Sequence, residues 1–134
     1  MEVLRVQFRH GEPAAPLRHA LRTTLENGLP ASAADTVEDT LLIVSELVQN
    51  VSQHTRCDGE LVVSFGAGEV LVEVGDSDPA LPRLRHPDGH RIGGRGLLLV
   101  AGVAVSWGVR RAAPGKVVWA RVPAEFGDEA LDAA

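Results

Sequence analysis

The sequence has a single cysteine, Cys57, and no cluster of cysteine and histidine residues at metal-ligand spacing. An internal disulfide is therefore excluded, and structural zinc is not expected. No apolar run approaches the ~20 residues that cross a bilayer. The first residues lack a basic segment followed by an apolar run and a small-residue cleavage site. We therefore expect a cytoplasmic protein with no secretory signal and no membrane partner.

Positive charge is also in the minority. The chain carries 13 Lys and Arg against 18 Asp and Glu, for a formal net charge of −5. This balance gives no general attraction to phosphate backbones, so we do not expect direct nucleic-acid binding. The 134 residues, 45% of them hydrophobic, are typical of one globular domain. We expect that domain over residues 1–123, followed by an acidic, flexible tail over residues 124–134.

The apolar periodicity predicts an alternation of strands and helices. We expect a strand at 3–8, helices at 14–27 and 33–54, strands at 60–65 and 69–74, a helix at 97–104, and strands at 105–110 and 116–122. A buried strand would give the same apolar pattern as the third helix. The order indicates a two-layer α/β (α+β) sandwich with a five-stranded mixed, mostly antiparallel sheet and three helices on one face.

The most informative polar residues lie on the second predicted helix. Glu46, Asn50 and His54 are four residues apart, so their side chains form one stripe beside apolar neighbours. A solvated helix face would explain such a stripe equally well. For His54, an imidazole at a helix C-terminus without a catalytic role is the simpler interpretation.

Two glycine-containing segments give the stripe a context. Gly75-Asp76 ends a predicted strand, and Gly93-Gly94-Arg95-Gly96 leads from a long loop into the third predicted helix. Glycines let backbone N–H groups approach phosphate oxygens, and a helix N-terminus favours negative charge. Together with the stripe, these segments indicate a nucleotide site. Asp76 could also be an ordinary turn residue at a strand end.

These segments resemble the motifs of the GHKL (Bergerat, histidine-kinase-like) ATPases, specifically the branch of anti-sigma-factor serine/threonine kinases. Ser45 to Asn50 followed by His54 resembles the N box, and Gly75 to Asp78 stands where the first glycine box would be. Gly94-Arg95-Gly96-Leu97 resembles the second glycine box, and Gly115 to Trp119 the closing strand of that branch. The combination of these motifs is specific, whereas either box alone would be weak. The resemblance implies the Bergerat fold.

The resemblance also implies a role for each matching residue. Asn50 would bind Mg²⁺ through its amide oxygen, Glu46 would be the general base, and Asp76 would accept a hydrogen bond from the adenine amino group. The remaining residues of the implied ATP site are Gly93, Gly94, Arg95, Gly96 and Leu97. For Arg95, contact with the nucleotide and exposure to solvent are both open. Residues 78–93 would form an ATP lid.

The sequence departs from the family pattern in the N box at Gln49 and Ser52-Gln53, and also in the first glycine box and the closing strand. Asp78 and Ala80 stand where the first glycine box has glycines, and Val117 replaces a threonine that supports the adenine site. Two functions therefore stand side by side. The first is an ATP- and Mg²⁺-dependent serine/threonine kinase that binds a sigma factor and phosphorylates an antagonist protein, with a possible homodimer. The second is a non-catalytic module that keeps the fold for protein binding.

Overall fold

The computed structural model describes residues 1–54, 56–78, 102–113 and 115–124. The elements are β1 (Glu2–Phe8), α1 (Ala15–Gly28), α2 (Ala34–His54), β2 (Gly59–Gly66), β3 (Glu69–Asp76), β4 (Ser106–Ala112) and β5 (Gly115–Pro123). A single 3-10 turn, Ala31–Ala33, leads into α2. The predicted strands and the first two helices are confirmed, and their bounds differ from prediction by at most two residues.

The five strands form one sheet in the order β1-β2-β3-β5-β4, and each neighbouring pair is antiparallel. The prediction of a mixed sheet is therefore wrong. Two helices separate β1 from β2, so the chain returns to the sheet in the opposite direction. β3 and β4 do point the same way, but β5 lies between them and pairs with both. No parallel neighbours result among these strands.

The expected count of three helices is not met in the described part of the chain, which contains two α-helices. Of the third predicted helix, at 97–104, Gly102 and Val103 are helical and Ala104 is not. Residues 97–101 lie outside the described residues.

The core fills the space between the two helices and one face of the sheet. Every second residue of the central strands points into it, and α1 contributes Leu17, Leu21 and Leu25. α2 contacts β2, β3 and β5. Its inward residues are Val37, Leu41, Ile43, Val44, Leu47, Val48 and Val51, which follow the helical period. These contacts between α2 and the strands hold α2 in its position over the sheet.

The opposite face of the sheet carries half-buried apolar residues among paired charges. Trp119 lies against Gly108 and under the guanidinium of Arg121, which is 5.7 Å from the ring centroid. Arg110 pairs with Glu73 across β5 at 2.5 Å. No described helix covers this face, which we call the open face. None of the described helices is long and apolar enough to span a membrane.

Candidate functional site

The second half of α2 and one end of the sheet meet at the same level of the domain. The hydroxyl of Thr36 donates to the carbonyl of Pro123 at 3.2 Å, which anchors the start of α2 beside the end of β5. Asn50 is 14 residues further along α2, or roughly 21 Å at the helical rise. Lys116 is seven residues back along β5, or roughly 24 Å. Asn50 and Lys116 therefore lie toward the same end.

The heptad spacing along α2 also sets the side on which Asn50 lies. Seven residues are close to two helical turns, so Thr36, Ile43 and Asn50 follow one side of the helix. Since the Thr36 hydroxyl contacts β5, Asn50 faces the β5 flank of the core. Glu46 lies one turn earlier, and both side chains are half-buried. The alternative of a fully solvated stripe does not describe these two residues.

Asp76 and Lys116 form the most buried ion pair in the described part of the chain. The side chains are 1% and 6% exposed, and Nζ of Lys116 lies 2.9 Å from Oδ1 of Asp76. Nζ also donates to the carbonyl of Asp78 at 3.1 Å, and the Asp78 N–H donates to the same Oδ1 at 2.8 Å. Asp76 therefore takes part in the turn at the end of β3, as one of the two interpretations expected. Its role as acceptor for adenine stays a prediction.

The second carboxylate oxygen of Asp76 has no partner among the residues that the structure describes. Oδ2 is buried and receives no hydrogen bond from the described residues. Leaving a buried charged acceptor unpaired costs more than the ~1–3 kcal/mol typical of a neutral group. A donor from outside these residues would relieve that cost. The orphaned Oδ2 therefore fits the exocyclic amino group of a bound base.

Glycine at position 115 allows this ion pair to form. A Cβ on Gly115 would lie 1.8 Å from the carbonyl oxygen of Asp76 and 2.5 Å from Cα of Ser77. Both atoms belong to the backbone and cannot rotate away. The absence of a side chain at Gly115 thus lets the start of β5 approach the end of β3, which brings Lys116 directly opposite Asp76.

One cross-strand row of residues forms the sheet at this level. Phe8, Gly59, Asp76, Lys116 and Arg111 are successive partners across all five strands, and directly paired residues share a face. The ring of Phe8 lies over Gly59, where a Cβ would be 2.2 Å from the ring. The row therefore presents an aromatic ring, an acid and two cations toward the helix side, with Arg111 exposed at the sheet edge.

Several predicted site residues are not among those described. Gly93, Gly94, Arg95, Gly96 and Leu97 lie outside the described residues, as do Ala80 and residues 79–93 of the predicted lid. The helix α2 includes His54, but its side chain is likewise outside the description. Of the predicted site residues, the structure therefore describes Glu46 and Asn50 on α2 and Asp76 at the end of β3, and their assembly with the phosphate-binding segment into one site stays a prediction.

Sequence reasoning missed Lys116 and assigned too much to Val117. Val117 pairs with Gly75 on the open face, so its side chain points away from the Asp76 carboxylate. Lys116 occupies the inward position instead, in phase with Val118, Ala120 and Val122. The alternation of β5 was a signal for this, because a lysine in phase with three buried apolar residues needs a buried partner.

A separate cavity lies on the other flank of α2. It has a volume of about 380 Å³ and opens between β1, the start of α1 and α2. Val6, Phe8, Leu17, Ala20 and Val48 are among its lining residues. Val48 lies about 160–200° around the helix from Glu46 and Asn50. This mostly apolar cavity therefore lies at the β1 edge of the sheet, on the side of α2 away from Glu46 and Asn50.

The site residues fit a nucleotide better than a protein-held metal. Within residues 1–54, 56–78, 102–113 and 115–124, no group of three or more His, Cys, Asp or Glu residues could hold a metal ion. Mg²⁺ commonly takes only one or two protein ligands together with phosphate oxygens and water. The amide of Asn50 suits that limited role, and Oδ2 of Asp76 suits a base.

Two comparisons with known proteins bear on this arrangement. A family model described as a histidine kinase-like ATPase domain matches residues 11–122. The match spans both helices, β2, β3 and β4, and all of β5 except its last residue. A search of curated proteins finds no match.

Proposed function

The chain belongs to the histidine kinase-like ATPase domain family, and from that membership we propose that it is an ATP-dependent serine/threonine protein kinase acting as an anti-sigma factor. The proposal has two levels. Binding of ATP follows from the family and from the buried acid at the end of β3. Transfer of a phosphoryl group to an antagonist protein, and binding of a sigma factor, extend the resemblance of the N box and the closing strand.

The observation that carries ATP binding is the unpartnered Oδ2 of Asp76. It is a buried acceptor at the level of Asn50, in a family of ATPase domains. Adenine offers an amino donor to such an acceptor, whereas guanine offers a carbonyl oxygen at the same ring position. An acid in this position selects adenine because a carbonyl facing it would leave two acceptors unpaired.

Asn50 and Glu46 would supply the chemistry beside the triphosphate. Asn50 would hold Mg²⁺ through its amide oxygen, and the ion supplies positive charge that neutralises the phosphate oxygens. Glu46 would accept the proton of a serine or threonine hydroxyl as that oxygen forms its bond to the γ-phosphorus. The bond from the γ-phosphorus to the bridging oxygen breaks, and ADP leaves.

Titration calorimetry with ATP tests the binding step. We expect saturable binding by the native protein, strengthened by Mg²⁺, and a loss of at least about tenfold in Asp76→Asn, since a carboxylate acceptor is replaced by a neutral amide. Asn50→Ala should remove most of the Mg²⁺ effect. Gln49→Ala is the matched control, because Gln49 is an exposed amide at the position of α2 directly before Asn50. Equal behaviour of these two variants would contradict the role of Asn50.

A phosphoryl-transfer assay tests the kinase step. Labelled γ-phosphate should appear on a serine or threonine of a candidate antagonist protein with the native chain and be lost with Glu46→Gln. The control is Glu26→Gln, an exposed acid on α1. Retention of ATP binding without transfer to any candidate would argue for the second function.

The second candidate is a protein-interaction module that keeps the fold without turnover. It is favoured by the Lys116–Asp76 pair, which partly satisfies the base-reading carboxylate without any ligand. The backbone N–H and carbonyl of Asp78 take part in the same contacts. Absence of ATP binding by the native protein, together with capture of a defined sigma factor or antagonist, would support this function over the first.

A further inference from the structure

We propose that Lys116 is a second base-reading residue, which donates a hydrogen bond to ring nitrogen N1 of adenine while Asp76 accepts one from the 6-amino group. This inference rests on the proposed binding of ATP at the end of β3. It assigns a specificity-determining role to Lys116, which the sequence analysis did not place in the site.

Among the described residues, the hydrogen bonds of the Lys116–Asp76 pair leave one N–H donor and one carboxylate oxygen unused. A lysine ammonium has three protons. Asp76 Oδ1 and the carbonyl of Asp78 take two of them among the described residues. Asp76 Oδ2 takes none. The pair therefore presents a spare N–H beside a spare oxygen, both on buried side chains at the same end of the sheet.

The Watson–Crick edge of adenine is the complement of this pattern. It offers an N–H donor on the 6-amino group and, next to it, the acceptor N1. A base whose amino group faces Asp76 Oδ2 brings N1 to the side of Lys116. Hydrogen bonds to charged groups are the stronger class, so both contacts contribute to affinity.

Guanine held in the same orientation would meet the pair with the wrong polarity at both positions. Its 6-carbonyl would face the Asp76 oxygen, and its N1–H would face the ammonium group. Asp76 alone opposes only the first of these contacts. Lys116 therefore adds a second penalty, and discrimination between the purines depends on both residues of the pair.

Burial and immobility support a reading role over a general attraction to phosphate. The Lys116 side chain is 6% exposed and is held by two partners. A flexible surface lysine would serve any anion equally. Lys116 Nζ is held by Asp76, the acid proposed to bind the base, so its third proton would be offered beside that acid.

The first test uses the native protein and needs no variant. We would measure by calorimetry the Kd values of ATP, 1-deaza-ATP, which lacks N1, and purine riboside triphosphate, which lacks the 6-amino group. Each analogue should bind at least about tenfold more weakly than ATP, because each loses one hydrogen bond to a charged group. Equal Kd values for ATP and 1-deaza-ATP would overturn the proposal.

Variants at Lys116 then distinguish recognition of the base from structural support of the fold. In Lys116→Met, the penalty for 1-deaza-ATP should disappear and the ratio of GTP to ATP Kd values should fall about tenfold. Lys116→Gln, which keeps an N–H donor, should retain part of both effects. Arg121→Met is the control for charge, because Arg121 lies on the open face of the same strand. A purely structural lysine would weaken all nucleotides by the same factor, and that result would refute the inference.

Failure of the underlying function has a different signature. If the native protein shows no saturable ATP binding, the proposed function is wrong and the inference is overturned with it. If ATP binds and depends on Asp76, but the analogue and ratio measurements show no contribution from Lys116, the proposed function stands and the inference alone is overturned.

Discussion

Replacing Lys116 by methionine keeps the apolar stem of the side chain and removes its charge. The variant leaves Asp76, whose side chain is 1% exposed, as a buried acid without its countercharge. Breaking a buried ion pair from one side costs about 3–5 kcal/mol of unfolding free energy. Asp76→Asn should cost less, about 2 kcal/mol, because the amide oxygen still accepts from the ammonium group.

The double variant Lys116→Met with Asp76→Asn distinguishes a coupled pair from two independent contacts. It leaves two neutral side chains, so we expect a cost of about 2–3 kcal/mol, below the sum of the single variants. The difference is a coupling free energy of roughly 2–5 kcal/mol. The measurement is urea denaturation of the ligand-free protein, followed by circular dichroism and by the fluorescence of Trp107 and Trp119.

Thermal unfolding gives an independent reading of the same cycle. A domain of this size loses roughly 3–5 °C of Tm per kcal/mol, so Lys116→Met alone should lower Tm by roughly 10–20 °C. Single-variant costs that add up to the cost of the double variant would refute the coupling between Lys116 and Asp76. A loss below about 1 kcal/mol for Lys116→Met would refute it as well, because a loss that small is typical of exposed ion pairs.

Three further changes test other parts of the structure. Gly115→Ala should destabilise the domain severely and abolish ATP binding, since its Cβ has no space, while Gly66→Ala, with nothing within 4 Å, should be nearly neutral; similar losses in both would contradict the close approach of β5 to β3. Burial raises the pKa of the Asp39 carboxyl, and a neighbouring carboxylate adds to the shift. The folded state therefore holds that proton more tightly, and the stabilisation is lost as pH rises through the raised pKa. Asp39→Asn should then raise Tm at about pH 7 and have little effect near about pH 3, and a gain that does not depend on pH would exclude this cause. Thr36→Val should cost about 1 kcal/mol in urea denaturation by removing the hydroxyl contact to β5, whereas Thr23→Val on the exposed face of α1 should cost less than about 0.5 kcal/mol, and equal costs would exclude a role for that contact.

Local patterns in the sequence were sufficient to predict the strands and the first two helices, but they were insufficient to predict how the strands pair in the sheet. The periodicity of α2 and the alternation in β2, β3 and β5 reflect burial on one face, which each segment records by itself. Strand direction depends on which strands become neighbours, and no single segment contains that information. The insertion of β5 between β3 and β4, which makes the sheet antiparallel, therefore went unpredicted.

The residues of the candidate site were likewise only partly predictable from the sequence. Glu46, Asn50 and Asp76 stand out because a polar residue interrupts or ends an apolar pattern. The partner of Asp76 depends on the register between β3 and β5, which places Lys116 opposite it and turns Val117 to the other face. Register is set by contacts between segments distant in the chain, so the motif alone directed attention to the wrong neighbour.

The last described residue lies at the end of the sheet away from Asp76. The N–H of Ala124 donates to the carbonyl of Gly68 in the turn between β2 and β3. An affinity tag, a dye or a surface tether joined after this residue would therefore be held one strand length, roughly 24 Å, from the ion pair. Immobilised sensors and distance-labelled probes attached there would lie at the opposite end of the sheet from Asp76 and Lys116.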